Sequence, residues 1–210
     1  MAAGDELRLL GAWYSPYVIR DLFDKSDLLL RSNPVHKTVP VLIHGGRPVC
    51  ESLVIMQYVD EAFAGTVTPL LPGDPHDRAT ARFWAAYIDD ESWMALSWAT
   101  TEEQRTEAFK NAVSVVETLE RAFRECSKGK AFFGGDDVGL VDVALGSFLL
   151  GIKVVDEVGG TNLLDEAKFP GLAAWAERFL AVDAVKEAMP DAGKLMEHYK
   201  RFMPKWIASR

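Results

Sequence analysis

Apolar positions along this chain fall into two regimes. Up to about residue 64 they are short and strand-like. Leu7–Leu10 read as a strand leading to a turn whose Pro16 suits the first position of a helix. Val39, Val41 and Ile43 alternate with Pro40, Leu42 and His44, Gly45-Gly46 supplies a tight turn, and Pro48-Val49-Cys50 starts a return strand. This predicts a β-hairpin, followed at Glu51-Ser52 by a helix through Leu53-Val54-Ile55-Met56. Beyond Asp74 the spacing becomes helical throughout. Asp74, Pro75 and Asp77 suit N-cap, N1 and N3 of a long helix reaching about Ser97. Thr101 to Cys126 repeats Phe109, Val113, Val116 and Phe123 on one face. Leu140 to Val158 is apolar nearly all round and predicts one buried central helix, with Gly139 and Asp142 as its N-cap and N3 pair. Shorter helices start near Phe169-Pro170 and Asp183 and stop before Pro190.

Gly65, Thr66, Thr68, Pro69, Pro72 and Gly73 interrupt both periodicities. The expected organisation is an α/β domain over 1–64, a linker over 65–74 and an all-helical domain over 75–210.

Composition narrows the function. The 210 residues are 49% hydrophobic, enough to bury a sizeable core. A net charge of -8 and a pI near 5.1 argue against a nucleic-acid partner, because no basic stripe would neutralise phosphates. Asp142 and Lys153 interrupt the most apolar stretch, so no membrane span is expected, and a start of MAAGDELRLL lacks the basic n-region of a signal peptide. A cytoplasmic location follows as an expectation. Cys50 and Cys126 lack metal spacing and are read as reduced packing residues. His36, His44, His76 and His198 are scattered singly, and no metal site is expected.

The chemistry concentrates between Asn33 and Ser52. Ser52 and the first free N–H groups of its helix suit a carboxylate, while Glu51 suits an ammonium. Together they match the amino-acid end of a small peptide. Taken alone, the run is equally a hairpin followed by a serine-capped helix, and Ser15 before Pro16 is equally a cap. Taken together with Trp13-Tyr14-Ser15-Pro16-Tyr17, Lys25-Ser26-Asp27-Leu28-Leu29-Leu30, Leu70-Leu71-Pro72-Gly73-Asp74-Pro75 and Ala81-Arg82-Phe83-Trp84-Ala85, it closely resembles the plant tau-class glutathione transferases over nearly the whole chain.

The resemblance implies a thioredoxin-like N-terminal domain, an all-α C-terminal bundle and a cis bond before Pro40. It makes Ser15 the catalytic serine, which stabilises the thiolate of glutathione, with Arg20 assisting through its field. Glutathione is the cosubstrate, held by Ser15, Lys25, Thr38, Val39, Glu51 and Ser52. A hydrophobic electrophile would lie against Ala12, Trp13, Tyr17, Trp93, Leu96, Ser97, Thr100 and Gly151. A homodimer is implied as well. No serine-hydrolase elbow accompanies Ser15, so no acyl intermediate is expected. A thiol transferase would need an active-site cysteine, and position 15 is serine.

Two departures stand out. Thr38 occupies a position where the family commonly has a lysine, removing a cation near the glycyl carboxylate. Arg20 runs directly into Asp21-Leu22-Phe23-Asp24-Lys25-Ser26, where the family pattern has a helix and a strand, about 17 residues. Either a segment belongs there that this sequence omits, or the chain is shortened. A shortened chain would leave its first strand at a sheet edge with one face uncovered, a state that suits a non-catalytic carrier of hydrophobic ligands or a damaged paralogue.

Overall fold

The computed structural model describes residues 6–11, 25–66, 68–90, 99 and 101–197. The chain divides into two compact units, Met1–Leu71 and Pro72–Arg210.

The first unit is built on a three-stranded antiparallel sheet of order β1-β2-β3: β1 Leu7–Leu10, β2 Val41–His44 and β3 Arg47–Cys50. The hairpin lies where the alternation puts it, although β2 begins at Val41, after the proline that cannot donate to the ladder. Gly45 and Gly46 both have positive φ, 54° and 78°, which a two-residue turn between twisted strands requires. Helix α1, Asp27–Ser32, opens on Ser26, whose side chain accepts from the Leu29 N–H. Helix α2, Ser52–Ala62, follows β3 without an intervening loop.

The register assigns the two faces of the sheet. Leu7, Leu9, Leu42 and His44 share one face, and His44 Nδ1 lies 2.7 Å from the Tyr58 hydroxyl and stacks on Phe63, so α2 covers that face near β2. The opposite face carries Val41 and Cys50, and the Cys50 thiol donates to the Ser32 carbonyl at the end of α1. Val41 is fully buried; Leu9, one strand over, is 63% exposed. Among the described residues no helix covers Leu7 and Leu9, and β1 is an outer strand of the sheet.

The second unit contains α3 Pro75–Asp90, α4 Glu102–Ser127, α5 Leu140–Gly146, α6 Leu149–Gly159, α7 Pro170–Ala181 and α8 Asp183–Ala188, with a further helical stretch over 192–197. Asp74 Oδ1 caps α3 by accepting from the His76 and Asp77 N–H groups, and Thr101 and Gln104 form a capping box on α4. The long first helix is described only to Asp90.

One expectation needs correction. The apolar stretch from Leu140 is two helices rather than one, broken at Ser147-Phe148. A Cβ at Gly146 would lie 2.1 Å from the Phe179 ring, so this position must be glycine for α7 to pack against α5. The next residue, Ser147, turns its hydroxyl back onto the Ala144 carbonyl, and the Phe148 N–H bonds three residues back to Leu145. Such Gly-Ser pairs are a usual site of kinks.

Two buried carboxylates organise this core. Asp142, with no solvent exposure, accepts from the Phe133, Gly134 and Gly139 N–H groups and from the Trp175 indole, all between 2.8 and 2.9 Å. Burial pushes its carboxyl up, and these four donors pull it back. Glu120 on α4 accepts from the Gly171 and Leu172 N–H groups at the start of α7, at 3.0 and 2.8 Å, and from Arg124. It supplies from a distant helix the cap that Phe169 lacks.

Candidate functional site

The last hairpin pair, Val41 with Cys50, sets the geometry of the site. Val39 and Pro40 lead into β2 at Val41, and Glu51 and Ser52 leave β3 after Cys50, so the two short runs lie at the same end of the hairpin. The Val39–Pro40 bond is cis, as the resemblance implies. Glu51 has φ 74° and ψ 129°, a region L-residues rarely adopt, and it turns the chain from strand into helix without a loop. Its carbonyl accepts from the Ile55 N–H at 2.8 Å, so the N–H groups of Ser52, Leu53 and Val54 precede the first intrahelical bond. Ser52 is therefore the first helical residue, and the N-cap position belongs to Glu51, which makes no side-chain cap bond. A carboxylate acceptor has three backbone donors and one hydroxyl available at this helix end.

Glu51 is exposed, with the His36 Nε2 at 4.0 Å from its carboxylate. The loop between α1 and β2 closes this corner. Asn33, 3% exposed, donates from Nδ2 to the Thr38 carbonyl at 2.9 Å and accepts at Oδ1 from the His36 N–H at 3.1 Å. Lys37 inside the loop has φ 56°. Thr38 is exposed, Val39 half-buried, and Lys25 half-buried just ahead of the Ser26 cap of α1. The structure thus gathers Thr38, Val39, Glu51 and Ser52 at one end of the hairpin. Gly151 lies half-buried in α6 of the second unit.

Ala12, Trp13, Ser15, Tyr17, Arg20, Trp93, Leu96, Ser97 and Thr100 lie outside the described residues. Asn33 was not singled out from sequence as a site residue.

Other reactive groups are less suited to chemistry. Burial and the adjacent Glu51 carboxylate push the Cys50 thiol up, and burial pushes Cys126 up, so neither resembles the low-pKa thiol of a redox site. Asp74, His76 and Asp77 have ligand atoms within 4.8 Å of one another, but all three are exposed and Asp74 is already engaged as the α3 cap.

Comparison with known proteins fits this geometry. Residues 13–61 match the family model described as glutathione S-transferase, N-terminal domain, and residues 102–178 the corresponding C-terminal domain. A probable glutathione S-transferase of rice, GSTU6, is 51% identical, with 100% of this chain and 99% of that protein covered. Glutathione S-transferase U18 of Arabidopsis thaliana is 45% identical over 97% of this chain and 98% of its own. The tau-class enzyme of mango is similar in structure, with a TM-score of 0.86, 43% identity and coverage of 95% of this chain and 99% of that one. Rice GST1, solved in complex with glutathione, gives a TM-score of 0.84 at 37% identity, covering 97% and 98%. The alignment with the first rice relative runs over 235 residues against the 210 of this chain, a surplus of 25 positions without a counterpart here. With both domain models matched and half its residues shared with a relative along its full length, the chain belongs to the glutathione S-transferase family, in its tau class.

Proposed function

We propose that this protein conjugates the thiolate of glutathione to hydrophobic electrophiles such as xenobiotics. The junction of β3 and α2 carries this reading: the Glu51 carboxylate and the free helix N–H groups from Ser52 onward lie at the end of the hairpin where Val39 and Pro40 lead into β2. Glu51 takes the ammonium of the γ-glutamyl group and the α2 N-terminus its carboxylate. Val39 pairs with the cysteinyl backbone, and Lys25 and Thr38 face the glycyl end. Ser15 donates a hydrogen bond to the thiol sulfur, favouring the thiolate at neutral pH, and Arg20 adds positive potential. The thiolate then attacks the electrophilic carbon and, with an aromatic halide, expels the halide ion. Ala12, Trp13, Tyr17, Trp93, Leu96, Ser97, Thr100 and Gly151 wall the electrophile. The enzyme acts as a cytoplasmic homodimer.

Ser15→Ala tests the serine. Turnover of an aromatic halide should fall about 10²–10³-fold, the scale of losing one donor to a developing anion, while glutathione affinity stays near wild type. Near-full turnover in Ser15→Ala removes the serine from the mechanism. An intact wild-type chain that binds glutathione yet conjugates nothing would point instead to a carrier.

A further inference from the structure

We infer that Asn33 is the positioning residue that aims the Val39 peptide group at bound glutathione. The inference rests on the glutathione reading above and adds to it a buried residue outside the contact set.

The carbonyl of Thr38 and the N–H of Val39 belong to one planar peptide unit, and this bond is trans, since Val39–Pro40 is the cis bond of the segment. In a trans unit the C=O and N–H point in opposite directions. Asn33 Nδ2 holds the Thr38 carbonyl at 2.9 Å from the buried side, so the Val39 N–H is turned away from Asn33. Pro40 has no N–H, which leaves the Val39 N–H as the donor of this short run. Among the described residues, none accepts it.

Asn33 is itself fixed at every polar atom. Its N–H donates to the Leu29 carbonyl at 2.8 Å, closing α1, its carbonyl accepts from the Lys37 N–H at 2.9 Å, and its Oδ1 accepts from the His36 N–H at 3.1 Å. The residue thus ties the end of α1 to the loop and orients one peptide group, a task needing a donor and an acceptor on a short side chain. Aspartate keeps the shape but sets an oxygen against the Thr38 carbonyl. Serine keeps an acceptor for His36 but cannot reach Thr38.

Calorimetric titration of glutathione into the full chain, Asn33→Asp and Asn33→Ser tests this. The dissociation constant should rise about tenfold in both variants, the scale of one lost hydrogen bond at a ligand-facing group. The KM for the electrophile and kcat at saturating glutathione should stay within about twofold. Parallel loss in glutathione and electrophile parameters would mean general loosening and overturn the inference. So would unchanged glutathione affinity in a folded variant, with the glutathione reading left standing. Absence of saturable binding by the wild-type chain overturns both together. In the wild-type chain, glutathione should slow exchange of the Val39 amide proton at least tenfold. Unchanged exchange at saturation refutes the inference even if neither variant folds.

Discussion

Replacing Asp142 by asparagine should weaken the helical unit by about 3 kcal/mol. The carboxylate has no solvent exposure and meets four donors: the Phe133 N–H and Trp175 indole at Oδ1, and the Gly134 and Gly139 N–H groups at Oδ2. An asparagine of the same shape keeps one oxygen and presents an NH₂ to two donors. Two hydrogen bonds to a charged acceptor are lost, each contributing about 1.5–3 kcal/mol. Part of that is returned because a buried charge disappears, a charge whose cost is visible in the upward push of burial on this carboxyl. The net is a large fraction of the 5–15 kcal/mol that typically separates folded from unfolded. Urea unfolding, followed by circular dichroism and by fluorescence of the buried Trp175, reads the change directly. A loss below about 1 kcal/mol would refute the reasoning, because it would mean that the four bonds contribute no more than the charge costs to bury.

Two further outcomes follow from burial and charge. Leu9→Lys, at a site 63% exposed, should alter stability by less than about 0.5 kcal/mol, whereas Leu29→Ala, at 1% exposed, should cost about 2–5 kcal/mol in the same unfolding assay. The backbone bonds from Asp77 and His76 hold the Asp74 carboxyl below its ordinary value. Its contribution is present above the unfolded pKa, about 3.9, and is lost as pH falls through the lower folded value. Asp74→Asn should therefore lose part of the wild-type decline in melting temperature below about pH 4, and an unchanged profile would count against the cap.

Elements set by local chemistry were legible in the sequence. The Gly45-Gly46 hairpin, the Asp74 cap and the helices starting near Thr101, Phe169 and Asp183 each depend on residues within a few positions. The break at Ser147-Phe148 was not, because the Phe179 ring that demands glycine at 146 lies on another helix. Helix α1 was missed for another reason: six residues are too few to show a period, and its Ser26 cap is one serine among several. In the site, the residue types of Glu51 and Ser52 announced their charge chemistry, but the positive φ of Glu51 is imposed by the direct passage of strand into helix. Asn33 was silent because its partners are backbone groups, which leave no pattern in residue types.

The claim that the hairpin end recognises glutathione is tested most directly by calorimetry on Glu51→Gln. The substitution keeps size and backbone while removing the charge opposite the ammonium. Affinity should weaken by about 1.5–3 kcal/mol, with the unfolding midpoint unchanged. A folded Glu51→Gln protein that binds glutathione as tightly as the wild type would contradict the account and reduce the Asn33 to Ser52 run to a hairpin joined to a helix.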